Sequence, residues 1–175
     1  MASTIQVDKI QDQGGNTIVE SNGSGVFSGS LTSKPAFQAY LSGTQTVVSG
    51  TTTKITMDTE DFDTDSCYDN SSNYRFTPTT AGKYYVYAVA RGSTGVSALD
   101  LEMTAIYLNG ATYVENQVDY RNNDAQLAGI TVNAIIDMNG SSDYVECYAR
   151  CLGGTEIMST PTRSSVFGAY KLVGV

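Results

Sequence analysis

The chain has 175 residues, room for one domain of ordinary size with an appendage, and too few for two enzyme-sized domains. Acids outnumber bases 18 to 10, the formal net charge is -8, and there is no histidine and no tryptophan. The absent histidine removes the commonest general base, nucleophile partner and metal ligand, and the acidity removes the basic footprint that nucleic acid or anionic lipid demands. The expectation is therefore a binding or structural protein: no enzyme, no cofactor, no nucleic-acid partner and no membrane.

Ser, Thr and Gly make up about a third of the residues, and 12 tyrosines accompany them. This is a strand-and-turn composition, poor in the Leu, Glu and Lys that helices favour. Residues 1–33 carry short apolar pairs between turn signals: Ile5 and Val7, then Ile10, then Ile18 and Val19, then Val26 and Phe27. Gly14-Gly15-Asn16 and Ser21-Asn22-Gly23-Ser24-Gly25 are the turns. Such a segment cannot bury enough surface to fold alone, and fully extended it spans on the order of 100 Å. A plain linker has no need of spaced Ile and Val. Residues 1–33 are therefore read as an extended attachment arm of short strands that orders on a partner, set against a disordered tail, with Ile5, Val7, Ile10, Ile18, Val26 and Phe27 as its contacts. The opening residues have neither the basic region nor the apolar core of a signal peptide, and no apolar run approaches the roughly 18 residues of a membrane span. A protein kept or assembled in a cytosol is expected.

Residues 34–175 alternate as strands. Expected strands run from Ala36 to Leu41, Thr51 to Met57, Asn73 to Thr77 and Gly82 to Arg91. Asn109-Gly110, the strongest short hairpin signal, joins Leu101–Leu108 to Ala111–Val118. Asn139-Gly140-Ser141-Ser142 joins Ala128–Met138 to Tyr144–Cys151, and Ser165–Val173 closes the chain. A short helical turn is allowed around Ser97–Leu101. Strands at this spacing predict an all-β jelly roll or sandwich.

Two strands differ in their faces. From Ala128, the positions Ala128, Ile130, Val132, Ala134, Ile136 and Met138 share one face, opposite Thr131, Asn133 and Asp137. From Lys83, one face is Tyr84, Val86, Ala88 and Ala90, and the other is Tyr85, Tyr87 and Val89. A strand apolar on both faces calls for cover on both sides, which predicts an oligomer.

Cys147 and Cys151 alternate with Val145 and Ala149 on one face, about 13 Å apart and beyond disulfide reach. They read as buried hydrophobes, and Cys67 stands alone in an acidic loop. In that loop Asp61, Asp63 and Asp65 have the spacing of the first three ligands of a calcium loop. Ser66 and Ser72 then stand where such a loop requires Gly and Glu. The three aspartates are a weak calcium candidate, set against a solvated loop without metal.

Phe62, Tyr68-Asp69, Tyr74-Arg75-Phe76-Thr77-Pro78 and Ala81-Gly82-Lys83-Tyr84-Tyr85-Val86-Tyr87 follow one another in order. This run resembles the signature of the complement C1q/tumour-necrosis-factor-like superfamily. Ser165-Val166-Phe167-Gly168-Ala169-Tyr170-Lys171-Leu172 resembles its closing strand, with Gly168 moved directly behind Phe167. The resemblance implies a C1q/TNF-like jelly roll that assembles as a homotrimer. Phe76, Tyr84, Phe167 and Tyr170 would serve core or interface beside Tyr85, Tyr87 and Val89. The N-terminal run from Thr4 to Ile18 resembles openings of tailed-bacteriophage virion proteins. That implies a virion protein, assembled in the host cytoplasm and bound to the major capsid protein or another virion protein. A capsid decoration (cement) protein is the leading expectation. The alternatives are a receptor-binding head module of a tail or head fibre, and a secreted complement- or cytokine-type ligand.

Overall fold

Backbone pairing begins in the N-terminal segment with β1 (Lys9–Gln11), β2 (Thr17–Ser21) and β3 (Phe27–Gly29), an antiparallel meander. The computed structural model describes residues 7–21, 23–24, 27–29, 35–93, 98–123, 125–153, 156–157 and 163–172. The chain divides between residues 33 and 34 into two compact units. In the first unit the Asp12 carboxylate accepts the Asn16 N–H at 2.8 Å and closes the β1–β2 turn. Ile10 then lies opposite Val19, and Lys9 opposite Glu20. The short strands expected in this segment thus pair with one another over Lys9–Gln11, Thr17–Ser21 and Phe27–Gly29. A turn seeded by an Asx side chain satisfies backbone groups that an extended strand would leave to water.

The second unit contains β4 (Ala36–Tyr40), β5 (Gln45–Thr46), β6 (Thr53–Lys54), β7 (Thr59–Asp63), β8 (Tyr68–Asp69) and β9 (Arg75–Phe76). The long strands follow: β10 (Gly82–Ser93), β11 (Leu101–Leu108), β12 (Ala111–Asp119), β13 (Leu127–Met138) and β14 (Val145–Leu152). Then come β15 (Glu156–Ile157) and β16 (Val166–Lys171). One sheet runs β5-β15-β10-β16-β4-β7, with β13 on the other side of β10. The second runs β12-β11-β14-β9-β8, with β6 also on β14.

The core lies between these sheets. Tyr84, Val86, Ala88 and Ala90 of β10 are all fully buried, and Ile130, Val132, Ile136 and Met138 of β13 join them. Phe37 stacks on Tyr68 and Phe76 at 4.5 and 4.6 Å and meets Phe167 edge-on at 5.1 Å. Each large side chain buried this fully contributes about 1.5–3 kcal/mol. Val145, Cys147, Ala149 and Cys151 face inward as expected, with both thiols free and pushed up to about 12 by burial.

The Asn109-Gly110 hairpin forms, with φ of 53° and 80° and Leu108 opposite Ala111. Positive φ at both loop positions is what the tight hairpin turn requires. On the open side of the sandwich, β12 side chains close the edge of β13. Asn116 Nδ2 donates to Thr131 O at 3.0 Å, and Tyr113 OH donates to Ile135 O at 3.3 Å.

Three expectations need correction. Residues 59–63 form a strand within the supposed acidic loop, because pairing with β4 overrides the weak strand preference of Asp and Glu. Cys67 is only 7% exposed and belongs to the core instead of a solvated loop. Ser97 lies outside the described residues, while Leu99 bridges to Ala125 and Leu101 opens β11, so extended pairing replaces the helical turn.

Candidate functional site

The outward face of the β10 sheet gathers several of the aromatic residues that the core does not use. β10 runs between β13 and β16, so Tyr85 has Ile135 on one side and Tyr170 on the other. The Tyr85 ring lies 5.4 Å from that of Tyr170 and 6.1 Å from that of Tyr87. Tyr85, Tyr87 and Val89 are half-buried, whereas Tyr170 is 45% and Ile135 56% exposed. Phe62 on β7 lies opposite Gln38 and is 47% exposed. Phe76, Tyr84 and Phe167 are fully buried core residues. The aromatic candidates therefore divide into core residues and surface residues.

A polar chain crosses the same face. Tyr87 OH donates to Gln38 Oε1 at 2.6 Å, and Gln38 Nε2 donates to Asp61 Oδ2 at 2.7 Å. Arg163 Nε donates to Asp61 Oδ1 at 2.8 Å, with its guanidinium 4.6 Å over the Tyr40 ring. The Arg163 and Gln38 hydrogen bonds hold the Asp61 carboxyl below the usual range. Burial, aided by the Asp61 charge, pushes the Tyr87 hydroxyl up. Lys83 pairs with Asp137 at 3.1 Å at one end of the patch. Each polar side chain of this chain of contacts, Tyr87, Gln38, Asp61, Arg163, Lys83 and Asp137, has a fixed partner.

The aspartate candidates do not converge. Asp61 holds Arg163, while Asp63 accepts the Tyr68 N–H at 2.7 Å and the Asp65 N–H at 3.4 Å. Among the described residues, no group of three or more carboxylates and thiols is placed to hold a metal ion.

In the first unit, Val7, Ile10 and Ile18 are 56%, 49% and 40% exposed. Ile5 and Val26 lie outside the described residues, as does the side chain of Phe27, whose backbone opens β3. Sequence reasoning missed Ile135 and Gln38. The run Ala134-Ile135-Ile136 carried a signal for the first, since Ile135 puts an apolar residue on the face otherwise given to Thr131, Asn133 and Asp137. Gln38 carried none, because its role depends on partners far along the chain.

No family model and no curated protein matches the chain. Solved structures do resemble it. Murine APRIL is 8% identical with a TM-score of 0.61, over 81% of this chain and 100% of that one. The globular domain of zebrafish complement 1qA protein is 12% identical with a TM-score of 0.56, over 79% of this chain and 98% of that one. Eiger TNF from S. frugiperda is 14% identical with a TM-score of 0.54, over 81% and 92%. At such identities the likeness is one of fold: an all-β jelly-roll sandwich of the C1q/TNF kind.

Proposed function

We propose that this chain is a structural protein of a bacteriophage virion, a homotrimeric capsid decoration protein assembled in the host cytoplasm. One observation carries the reading: each of the two units has exposed apolar side chains among its described residues. The outward face with Tyr85, Tyr170, Ile135 and Phe62 belongs to the jelly-roll unit and suits self-association, since tyrosines offer area together with a hydroxyl. Val7, Ile10 and Ile18 belong to a three-stranded unit too small to bury them, and suit attachment to the major capsid protein or another virion protein. The resemblance of the N-terminal run to phage virion proteins supplies the biological setting. Cross-subunit attachment of this kind opposes expansion of a pressurised shell.

The test uses the full chain carrying Ile10→Asp and Ile18→Asp. The expected outcome is an unchanged oligomer that no longer decorates capsids, with hundreds of wild-type copies per particle. Undiminished decoration by the variant, or a few dozen copies with binding to host cells, overturns the proposal in favour of a fibre head.

A further inference from the structure

Strand β10 outruns its neighbour β16, whose pairing ends at Val89 and Val166. Beyond that point β13 and, at Gly92 and Ser93, β15 still pair with the strand, and side chains accept from three of its backbone donors. Thr104 Oγ1 accepts the Ala90 N–H at 3.3 Å, Ser165 Oγ the Arg91 N–H at 3.0 Å, and Glu102 Oε1 the Gly92 N–H at 2.8 Å. Glu102 belongs to the opposite sheet and is 0% exposed, and among the described residues its Oε2 has no hydrogen-bond partner. The packing around it is tight. A Cβ placed on Gly92 would lie 2.7 Å from Cys151 Sγ and 3.1 Å from Glu102 Cδ. The charged and titratable groups that interact electrostatically with this carboxyl are Arg91 of β10, Cys151 of β14 and Tyr120 just past β12. Arg91 is the cation among them, yet among the described residues its buried Nη1 also lacks a partner.

We propose that Glu102 is a proton-held latch between the two sheets: neutral, it seats against Gly92 and pins the end of β10 to β11; ionised, it drives that end apart. A buried carboxylate needs its lone pairs satisfied, and here one oxygen has nothing to accept from. Burial pushes this carboxyl up to about 8, against the opposing pull of the Gly92 N–H and the Arg91 charge. The folded state thus holds the proton more tightly than the unfolded state. The stability it contributes is full below the ordinary glutamate range and is lost as pH rises through that range toward about 8.

Composition isolates this effect. Without histidine, the chain lacks the one side chain whose unperturbed pKa falls between pH 5 and 8. Cys147 and Cys151 stay neutral because burial raises them to about 12. Glu60 is the other raised carboxyl, through partial burial and the Asp63 charge, and Glu60→Gln serves as the control.

The experiment follows thermal unfolding of the full chain from pH 5 to pH 8.5. The wild-type and E60Q midpoints are expected to fall by about 5 °C or more, while Glu102→Gln stays flat. In the wild type, the 13C carboxyl resonance of Glu102 should titrate near pH 8. An equal pH slope in E102Q, or a Glu102 resonance titrating in the ordinary range, overturns the latch. The resonance decides the matter even where E102Q fails to fold.

Discussion

Tyr87 lies across the backbone of Gly168, its cross-strand partner on β16, and reaches past it to donate its hydroxyl to Gln38. A Cβ at position 168 would overlap the tyrosine ring. This close approach accounts for a glycine directly behind Phe167, where the resembling family's closing strand has its glycine later. Overpacking of this kind costs about 1–3 kcal/mol, and loss of one hydrogen bond costs about 1 kcal/mol. Gly168→Ala is therefore expected to destabilise the protein by about 2 kcal/mol in urea unfolding, with Tyr87→Phe costing about 1 kcal/mol. The double variant should cost less than the sum, because G168A already displaces the hydroxyl from Gln38. Strict additivity would show that Tyr87 and Gly168 do not act as a pair.

Strand β7 is an open sheet edge, and its acidic sequence suits that position, since edge charges oppose pairing with other chains. Four carboxylates on and beside it, Asp58, Asp61, Asp63 and Asp69, are committed locally. Asp58 accepts the Ser42 N–H at 2.8 Å and its hydroxyl at 2.6 Å, and Asp69 accepts the N–H groups of Ser71, Ser72 and Asn73. Hydrogen bonds hold Asp58, Asp61 and Asp69 below the ordinary range, against desolvation in each case. Their contribution is present above the ordinary aspartate range and is lost as pH falls through the lowered values. Because these lone pairs are already occupied, EDTA is expected to leave the melting temperature unchanged at neutral pH. A fall of several degrees on chelation would restore calcium to this strand. β10, β13 and β14 were legible because each carries its own period of two over eight to twelve residues, and β11 and β12 because Asn109-Gly110 marks the hairpin between them. β7 was not, since its strand character comes from β4, more than twenty residues away, and its side chains argue against it. Two-residue strands such as β5 and β8 are too short to show any period. In the candidate site, the second tyrosine face could be read from β10 alone, whereas the Gln38–Asp61–Arg163 chain depends on three distant segments.

At the scale of the molecule, the two faces of β10 have different roles. The inner face is fully buried in one chain, while Tyr85, Tyr87 and Val89 are only half-buried there, amid the exposed Tyr170 and Ile135. An aromatic patch of this kind on a single subunit marks an interaction site. A head-to-tail contact that closes on itself buries the patch identically in every subunit and leaves none exposed, and the proposed homotrimer is such a closed form. Burying an unpaired charge at such an interface costs several kcal/mol, more than most single contacts supply. Tyr85→Glu is therefore expected to lower the sedimentation mass to one third of the wild-type value while leaving the far-UV spectrum unchanged. The control lies on the other sheet, where Tyr148 stacks on Tyr107 at 3.9 Å. Tyr148→Ser should cost stability through that stack but keep the wild-type mass. If Y85E keeps the trimer mass and Y148S loses it, the assembly surface lies on the second sheet, and the tyrosine face of β10 must meet some other partner.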